Sequence, residues 1–286
     1  MRRFPDRWLG VLAVCLLAIT QLPRLADGKG LAGLRVSLSP STLQGFQRYV
    51  AITDTQNNRN LGEGSFLWID NLPATEKQEA YTALKRGEIE MRRAPPEAAG
   101  ANAEIPGGLI HDWKAVVFIP GVKLDQVLRV MQDYDRHATI YAPEVEKAKI
   151  EKRDGNHYVV FLRFRRTKVV TVVLNTEHDV NYFRDSPTRA HSRSSAIRIV
   201  EVENPDGPHE KEKKPGEDQG FLWKMETWWR LQEKDGGVYV QNQVVSLTRD
   251  VPTGLGWLIE PFITSIPKES LEFTLGATRK AALNPK

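Results

Sequence analysis

Side chains that perform nucleophilic or metal chemistry are few in this sequence and widely spaced. The histidines are scattered between His111 and His209. His178 and Asp179 are neighbours on a predicted strand, where adjacent side chains point to opposite faces of the sheet. The Gly-x-Ser-x-Gly, glycine-rich phosphate-loop and His-Glu-x-x-His motifs do not occur. The sequence therefore supports no catalytic residue, no metal ligand and no cofactor.

One pair of oppositely charged residues lies at a position where a catalytic role has to be considered. Arg249 and Asp250 directly precede the predicted last helix. An Asp near a helix N-terminus stabilises the helix dipole, and an Arg beside it commonly pairs with it. A structural role is the favoured interpretation, and a catalytic role is the alternative. Cys15 is the only cysteine, so a disulfide or thiolate site is excluded from the chain beyond it.

Polar and aromatic side chains on apolar strand faces are the better candidates for a site. Asn242 lies on an otherwise apolar face, and a buried amide takes its hydrogen-bond partners from neighbours, water or a ligand. Tyr158 also places a polar group on a predicted apolar strand face, and it is the weaker candidate of the two. Trp113, Trp223 and Trp229 are large enough either to fill a core or to line a pocket, and both interpretations stay open.

Composition and charge limit the class of protein. The chain has 286 residues, of which 41% are hydrophobic and 27% charged, and this is ordinary for a globular protein of one large or two small domains. The formal net charge is only +4, so we predict no nucleic-acid partner. Contact with a membrane surface and a protein partner both stay open.

The N-terminus has the pattern of an export signal. Arg2, Arg3 and Arg7 precede an apolar run over residues 8–19 that is too short to span a bilayer comfortably. Small residues follow, and cleavage after Gly28 gives a signal peptide of residues 1–28. We therefore expect an exported protein in the periplasm or outside the cell, with an uncleaved membrane anchor as the alternative.

Two helices are predicted in an N-terminal accessory region of residues 34–93. Apolar residues at helical spacing predict a helix over residues 41–54 and another over 75–86. The polar residues 57–64 predict a turn-rich segment between the two helices, and the Pro- and Ala-rich residues 94–108 predict a linker after them.

From residue 108 onward the apolar period becomes two, which is typical of strands. An amphipathic helix opens near Val122 and places Leu124, Val127 and Leu128 on one stripe. The remaining pattern predicts an antiparallel meander, interrupted at residues 204–220 by a charged segment that should be a mobile, solvated loop. The predicted strands cover residues 111–119, 145–151, 157–165, 168–182, 189–203, 223–231 and 238–246.

The last segment predicts two helices rather than one. Pro261 removes the amide hydrogen that would bond to the carbonyl of Trp257, so the first helix should kink or stop there. Ser265 is suited to cap a new helix with Pro267 in its first turn. Leu271 and Leu275 then begin a second apolar stripe.

The order of strand, short helix, long meander and C-terminal helix resembles the helix-grip fold of the START and Bet v 1 (SRPBCC) superfamily, especially its polyketide-cyclase-like and coenzyme-Q-binding members. The resemblance covers residues 108–283 and includes the ending from Arg249-Asp250-Val251-Pro252 to Ser270-Leu271. It implies an α+β fold in which a curved antiparallel sheet wraps around a long C-terminal helix. The signal segment and residues 34–93 depart from a minimal member of this superfamily.

The resemblance also implies a cavity between the sheet and the last helix that holds a lipid, isoprenoid, quinone or polyketide-like molecule. We therefore expect an exported binding or carrier protein without enzymatic activity. A cyclase/aromatase-like enzyme and a cell-envelope module that binds a partner are the alternatives. The residues expected to line the cavity are Trp113, Tyr158, Leu162, Trp223, Met225, Trp229, Asn242, Leu258, Phe262, Leu271 and Leu275.

Overall fold

An antiparallel sheet of nine strands organises the structure. The computed structural model describes residues 37–62, 65–94, 105–167, 171–250 and 256–285, and for residues 256–264 it describes the backbone alone. The strands are β1 (Ile89–Ala94), β2 (Gly108–Pro120), β3 (Val145–Asp154), β4 (His157–Thr167), β5 (Thr171–Ser186), β6 (Arg189–Glu203), β7 (Lys211–Glu212), β8 (Lys224–Lys234) and β9 (Gly237–Arg249). The helices are α1 (Pro40–Gly62), α2 (Ala74–Lys85), α3 (Leu124–Gln132), α4 (His137–Ile140) and α5 (Gly256–Leu283).

The strand order confirms the predicted meander. It is β1-β2-β9-β8-β6-β5-β4-β3, with the short β7 paired to β6. The hairpin between β8 and β9 turns at Asp235 and Gly236, both with positive φ, which matches the twist of the two strands. Residues at the turn between β3 and β4 include Gly155, which also has positive φ. Tight turns at the predicted positions thus keep consecutive strands in register.

Helix α5 packs on one face of the sheet, which we call the concave face. Leu271, Leu275 and Ala282 of α5 are buried in one cluster with Val117 of β2 and Val240 of β9. Helix α3 joins the same cluster through Leu124, Val127 and Met131. A curved antiparallel sheet that grips a C-terminal helix is the helix-grip fold, and this α+β prediction is confirmed.

The opposite face of the sheet, which we call the convex face, is also covered. Phe46 and Tyr49 of α1 pack with Trp228, Val245 and Leu247 of the sheet. The segment after α1 and helix α2 pack over the neighbouring part of the face, in a cluster of Phe66, Leu67, Ile69, Ala80, Leu84, Val116, Phe118 and Tyr239. The central strands are therefore buried on both faces. The alternation of apolar and polar residues along them predicts burial of one face only.

Helix α1 is longer than predicted, and residues 57–62 continue the helix instead of forming a turn-rich segment. Asn57 is buried there and donates through Nδ2 to Gln243 Oε1 (3.1 Å). Polar residues therefore continue the helix because the convex face supplies their hydrogen-bond partners. Strand β1, which pairs with β2, was not predicted within the accessory region. The division between residues 34–93 and 108–283 as separate regions stays a prediction.

Helix α5 is one continuous helix, so the predicted break between Pro261 and Ser265 is wrong. A proline inside a helix removes one backbone hydrogen bond but does not always end the helix. The burial of Leu271 and Leu275 against the sheet stabilises the turns that follow. Within the described part of the chain, no helix is long and apolar enough to cross a bilayer.

The charged segment 204–220 is held to the sheet, contrary to the prediction of a mobile, solvated loop. Glu201 of β6 is buried and accepts hydrogen bonds from Lys213 Nζ (2.7 Å) and from the backbone amides of Gln219 and Phe221. Arg163 of β4 forms two hydrogen bonds with the carboxylate of Glu210. Several charged side chains of this segment are thus paired with specific partners, which the composition alone does not reveal.

Candidate functional site

The strand register brings most of the predicted site residues onto one surface of the concave face. Asn242 of β9 pairs with Trp229 of β8, and Trp229 pairs with Ser192 of β6. These residues form a row across three strands, and neighbouring strands are about 4.8 Å apart. The complete first row is Met91, Ala115, Asn242, Trp229, Ser192 and Tyr182.

Two further rows lie beside the first, because every second residue of a strand faces the same side. The second row is Arg93, Trp113, Val244, Thr227, Ser194, Val180, Tyr158 and Arg153. The third row is His111, Ser246 and Met225 on one side of the sheet and Ala196, His178 and Val160 on the other. We call these three rows together the central rows.

The central rows are less tightly packed than the neighbouring end of the concave face. At that end Val117, Leu231 and Val240 have no exposed surface. The side chains that instead keep partial exposure are Trp113, Leu162, Met225, Thr227, Trp229 and Val244. A filled protein interior leaves no such accessible surface, so solvent reaches the side chains of these residues.

Three polar side chains in the central rows are buried without hydrogen-bond partners. The atoms are Tyr158 Oη, Ser192 Oγ and Asn242 Oδ1, and none has a partner among the described residues. The three residues are only 1%, 1% and 3% exposed. A buried polar group that is left unpaired costs about 1–3 kcal/mol, so native structures rarely retain one without a reason.

A cluster of aromatic side chains positions Tyr158 at one end of the second row. Its ring centroid lies 5.4 Å from that of Tyr134 and 5.7 Å from that of Tyr182. The hydroxyls of Tyr134 and Tyr182 form a hydrogen bond of 2.8 Å, and Tyr182 donates to the carbonyl of Met131 (3.2 Å). The ring of Tyr158 is therefore fixed while its hydroxyl stays unpaired.

These contacts predict opposite effects of removing two neighbouring hydroxyls. Tyr158→Phe should raise the free energy of unfolding by about 1 kcal/mol, because it removes an unpaired buried group. Tyr182→Phe should lower it by about 1 kcal/mol, because it removes two hydrogen bonds. Urea unfolding of both variants measures the difference. Equal destabilisation by the two substitutions would show that the Tyr158 hydroxyl has a partner.

The histidines beside the site are neutral at physiological pH. Burial lowers the pKa of His178 to about 4, and burial followed by the charge of Arg93 lowers the pKa of His111 to about 4. His178 Nε2 is 2.9 Å from Thr176 Oγ1, and His111 Nε2 is 3.0 Å from Thr248 Oγ1. These rings thus contribute hydrogen-bonding groups but no charge.

Not every predicted site residue belongs to the central rows. Trp223 was expected on the same face as Met225, but it precedes β8 and packs with Phe46 and Tyr49 on the convex side. Its indole Nε1 donates to Asp218 Oδ1 (2.8 Å), which fixes it there. Leu271 and Leu275 are buried where α5 meets the sheet, and Leu162 of β4 lies next to Val160 in the face. The side chains of Leu258 and Phe262 lie outside the described residues.

Sequence reasoning missed Ser192 and the aromatic cluster around Tyr158. Serine is common on exposed strand faces, so its side chain alone gives no signal of burial. Tyr134 and Tyr182 are 48 residues apart, and their contact depends on the packing of α3 against β5. The only sequence signal for this cluster was the alternation of apolar residues along the strands that contain Tyr158, Val180 and Tyr182.

The residues of the two candidate catalytic pairs make the following contacts in the structure. His178 faces the concave side, and Asp179 instead pairs with His157 Nε2 (2.8 Å). Arg249 donates through Nη1 to the carbonyl of Gln219 (3.2 Å). In the described ranges, no group of three or more His, Cys, Asp or Glu side chains is arranged to hold a metal ion.

The fold and the central rows together define a helix-grip protein with a candidate small-molecule site between sheet and helix. Among solved structures, the chain is similar to a STAR-related lipid transfer protein from Xanthomonas axonopodis, with a TM-score of 0.44 and 16% identity over 68% of this chain and 99% of that one. It is also similar to the Zhui aromatase/cyclase from a Streptomyces species, with a TM-score of 0.42 and 14% identity over 61% of this chain and 94% of that one.

A START superfamily protein from Mycobacterium smegmatis is similar at a TM-score of 0.39 and 11% identity, over 63% of this chain and 99% of that one. No protein-family model matches the chain. No curated protein matches it in sequence. The functional argument therefore depends on the residues of this chain.

Proposed function

We propose that this protein binds a hydrophobic small molecule against the central rows of the concave face and acts as its carrier. The observation that carries this proposal is the combination, on one surface, of partly exposed apolar and aromatic side chains with three buried, unpaired polar atoms. Small-molecule sites are typically concave and apolar with a few polar groups that orient the ligand.

The aromatic side chains explain how affinity would arise. Trp113 and Trp229 lie in adjacent rows on β2 and β8, with Met225 in the third row. Large aromatic side chains contribute most of the apolar contact area in binding sites, and Met adapts its shape to different ligands. Ser192 and Asn242 flank Trp229 in the same row.

Native mass spectrometry of the protein purified from its own host tests this proposal. We expect one apolar molecule per chain, released by solvent extraction and identified by its mass. As a control, the delipidated protein should take up the neutral fluorophore N-phenyl-1-naphthylamine, with a blue-shifted emission. A protein that carries no ligand and takes up neither this fluorophore nor any of a panel of lipids and quinones would contradict the proposal.

We also propose that the protein functions outside the cytoplasm. This part depends on the basic and apolar pattern of residues 1–28, which lie outside the described residues. Contact with a membrane surface during ligand exchange belongs to the same proposal. N-terminal sequencing of the protein recovered from the cell envelope is the direct check, with a mature N-terminus after Gly28 as the expected result.

A further inference from the structure

Among the described residues, the charged side chains of the central rows are two arginines, one at each end of the second row. Arg93 of β1 pairs in register with Trp113, and Arg153 of β3 pairs with Tyr158. No carboxylate belongs to the described members of the three rows. A cation bound along this surface would meet only positive charge, whereas an anion would meet an opposite charge at either end.

Exposure distinguishes the two ends of the second row. The side chains next to Arg93 are partly exposed, and those next to Arg153 are buried. The partly exposed residues are Trp113, Val244 and Thr227, and the buried ones are Ser194, Val180 and Tyr158. The guanidinium of Arg153 lies over the Tyr158 ring, 5.0 Å from its centroid, and donates to the carbonyl of Gly155 (3.4 Å). Solvent therefore reaches the row at the end where Arg93 lies.

The charge of Arg93 is not neutralised within the described part of the chain. Its side chain is exposed and makes no hydrogen bond or ion pair with a described residue. The adjacent Arg92, by contrast, lies over the Trp68 ring (5.3 Å to the centroid) and pairs with Glu76 (3.5 Å) on the convex side. Burial, and then the charge of Arg93, lower the pKa of the third-row residue His111 to about 4. Arg93 therefore acts electrostatically on the central rows.

Apolar surface and free charge are adjacent at this edge of the sheet. Ile89 and Met91 of β1 pack against the apolar cluster of the concave face, and Arg93 follows them on the same side. Neighbouring strands are about 4.8 Å apart, so the second row extends about 14 Å from Arg93 on β1 to Thr227 on β8. A guanidinium binds carboxylate, sulfate or phosphate groups through paired, charge-assisted hydrogen bonds.

We infer that the ligand is an anionic amphiphile whose carboxylate, sulfate or phosphate group binds Arg93, while its apolar part lies along the second row toward Thr227. This inference rests on the proposed function, because it concerns the ligand of the same surface. It goes further in stating the charge of the ligand and its direction on the sheet, with the head group at the edge strand β1 and the apolar part toward β8.

Two fluorophores that differ by one anionic group test the inference. N-phenyl-1-naphthylamine is neutral, and 1-anilinonaphthalene-8-sulfonate adds a sulfonate to the same ring system. The delipidated full chain is titrated with each, and the ratio of the two affinities is the measured quantity. We expect Arg93→Gln to lower the affinity for the sulfonate by about tenfold and to change the affinity for the neutral fluorophore by less than about twofold. Arg93→Lys, which keeps the charge, should retain most of the sulfonate affinity.

Two controls remove the same charge elsewhere. Arg92→Gln does so one residue away on the convex side, and Arg153→Gln does so at the buried end of the second row. Each should leave the ratio of affinities within about twofold of the wild-type value. An unchanged ratio in Arg93→Gln, or an equal fall in either control, would overturn the inference.

A lipid competition identifies the source of the head group. The delipidated chain is incubated with phosphatidylcholine vesicles that contain equal amounts of hexadecyl sulfate, phosphatidylglycerol and hexadecanol, and is recovered by gel filtration. Its bound lipids are quantified by mass spectrometry. An excess of hexadecyl sulfate over hexadecanol supports a single-chain anion as the ligand, and an excess of phosphatidylglycerol supports an anionic membrane lipid.

The remaining outcomes separate the inference from the proposed function. Hexadecanol at or above the level of both anionic lipids overturns the inference and leaves a hydrophobic carrier in place. Binding of the neutral fluorophore without binding of the sulfonate has the same meaning. If neither fluorophore binds and no lipid is recovered, the proposed function fails and the inference fails with it.

Discussion

Replacement of Arg230 by Met should lower the free energy of unfolding by about 3 kcal/mol, because charge-assisted hydrogen bonds to buried groups are among the strongest in proteins. Arg230 lies on the convex face of β8 and is only 2% exposed. It donates to the carbonyl of Phe66 (2.7 Å) and to both the carbonyl and Oδ1 of Asn57 (2.8 and 2.7 Å). The substitution leaves three acceptors without their donor.

The same contacts explain why α1 should respond most. Burial lowers the pKa of Arg230 to about 10, so the side chain stays charged at neutral pH. Asn57 is part of α1, and its side chain also bonds to Gln243, which in turn donates to the buried Asp112. Loss of the arginine therefore disrupts a polar network that joins α1 to the sheet. We expect faster proteolysis of α1 in the variant.

Urea unfolding at pH 7 measures the effect, and Arg129→Met provides a matched control. Arg129 is an exposed arginine of α3, so its replacement should change the free energy of unfolding by less than about 0.5 kcal/mol. Equal stability of the two variants would mean that α1 is not held by this network. If Arg230→Met loses stability while proteolysis of α1 is unchanged, the arginine stabilises the sheet rather than the attachment of α1.

The sheet could be predicted from the sequence because its signals are local. Strand alternation and the turns at Asp154-Gly155 and Asp235-Gly236 define the meander without reference to distant residues. The burial of the convex face could not be predicted in the same way. Trp228 and Arg230 alternate with apolar residues of the other face, which is typical of a strand with one exposed side, and the helix that covers them comes from more than 160 residues away.

The candidate site was predictable to the extent that it depends on strand faces. Asn242 and Tyr158 were recognised because a polar group on an apolar strand face needs a partner. The sequence could not show that their polar atoms are unpaired or that Ser192 shares a row with Asn242. Both facts depend on the pairing of β6 with β8 across residues 204–220. Long-range pairing of this kind leaves no periodic signal in the sequence.

Thr227→Trp should abolish ligand uptake while leaving the protein folded. Thr227 occupies the middle of the second row, between Val244 and Ser194, and is partly exposed. An indole at this position would occupy the space that adjoins the central rows, so we expect the affinity for N-phenyl-1-naphthylamine to fall by about a hundredfold or more. If the proposed site is open, the added volume displaces no neighbouring side chain and the free energy of unfolding should fall by less than about 1 kcal/mol, whereas insertion of extra atoms into a filled core costs about 1–3 kcal/mol or more.

Thr171→Trp is the matched control for this prediction, since it makes the same substitution at an exposed position of β5. Titration with the fluorophore and urea unfolding of both variants give affinity and stability from the same samples. Unchanged affinity in Thr227→Trp would place the ligand elsewhere. A large loss of stability, together with a wild-type protein that takes up no fluorophore, would mean that the concave face is a filled core. Loss of affinity without loss of stability is the combination that only an open, ligand-binding face produces, because the substituted residue then competes with the ligand rather than with neighbouring side chains.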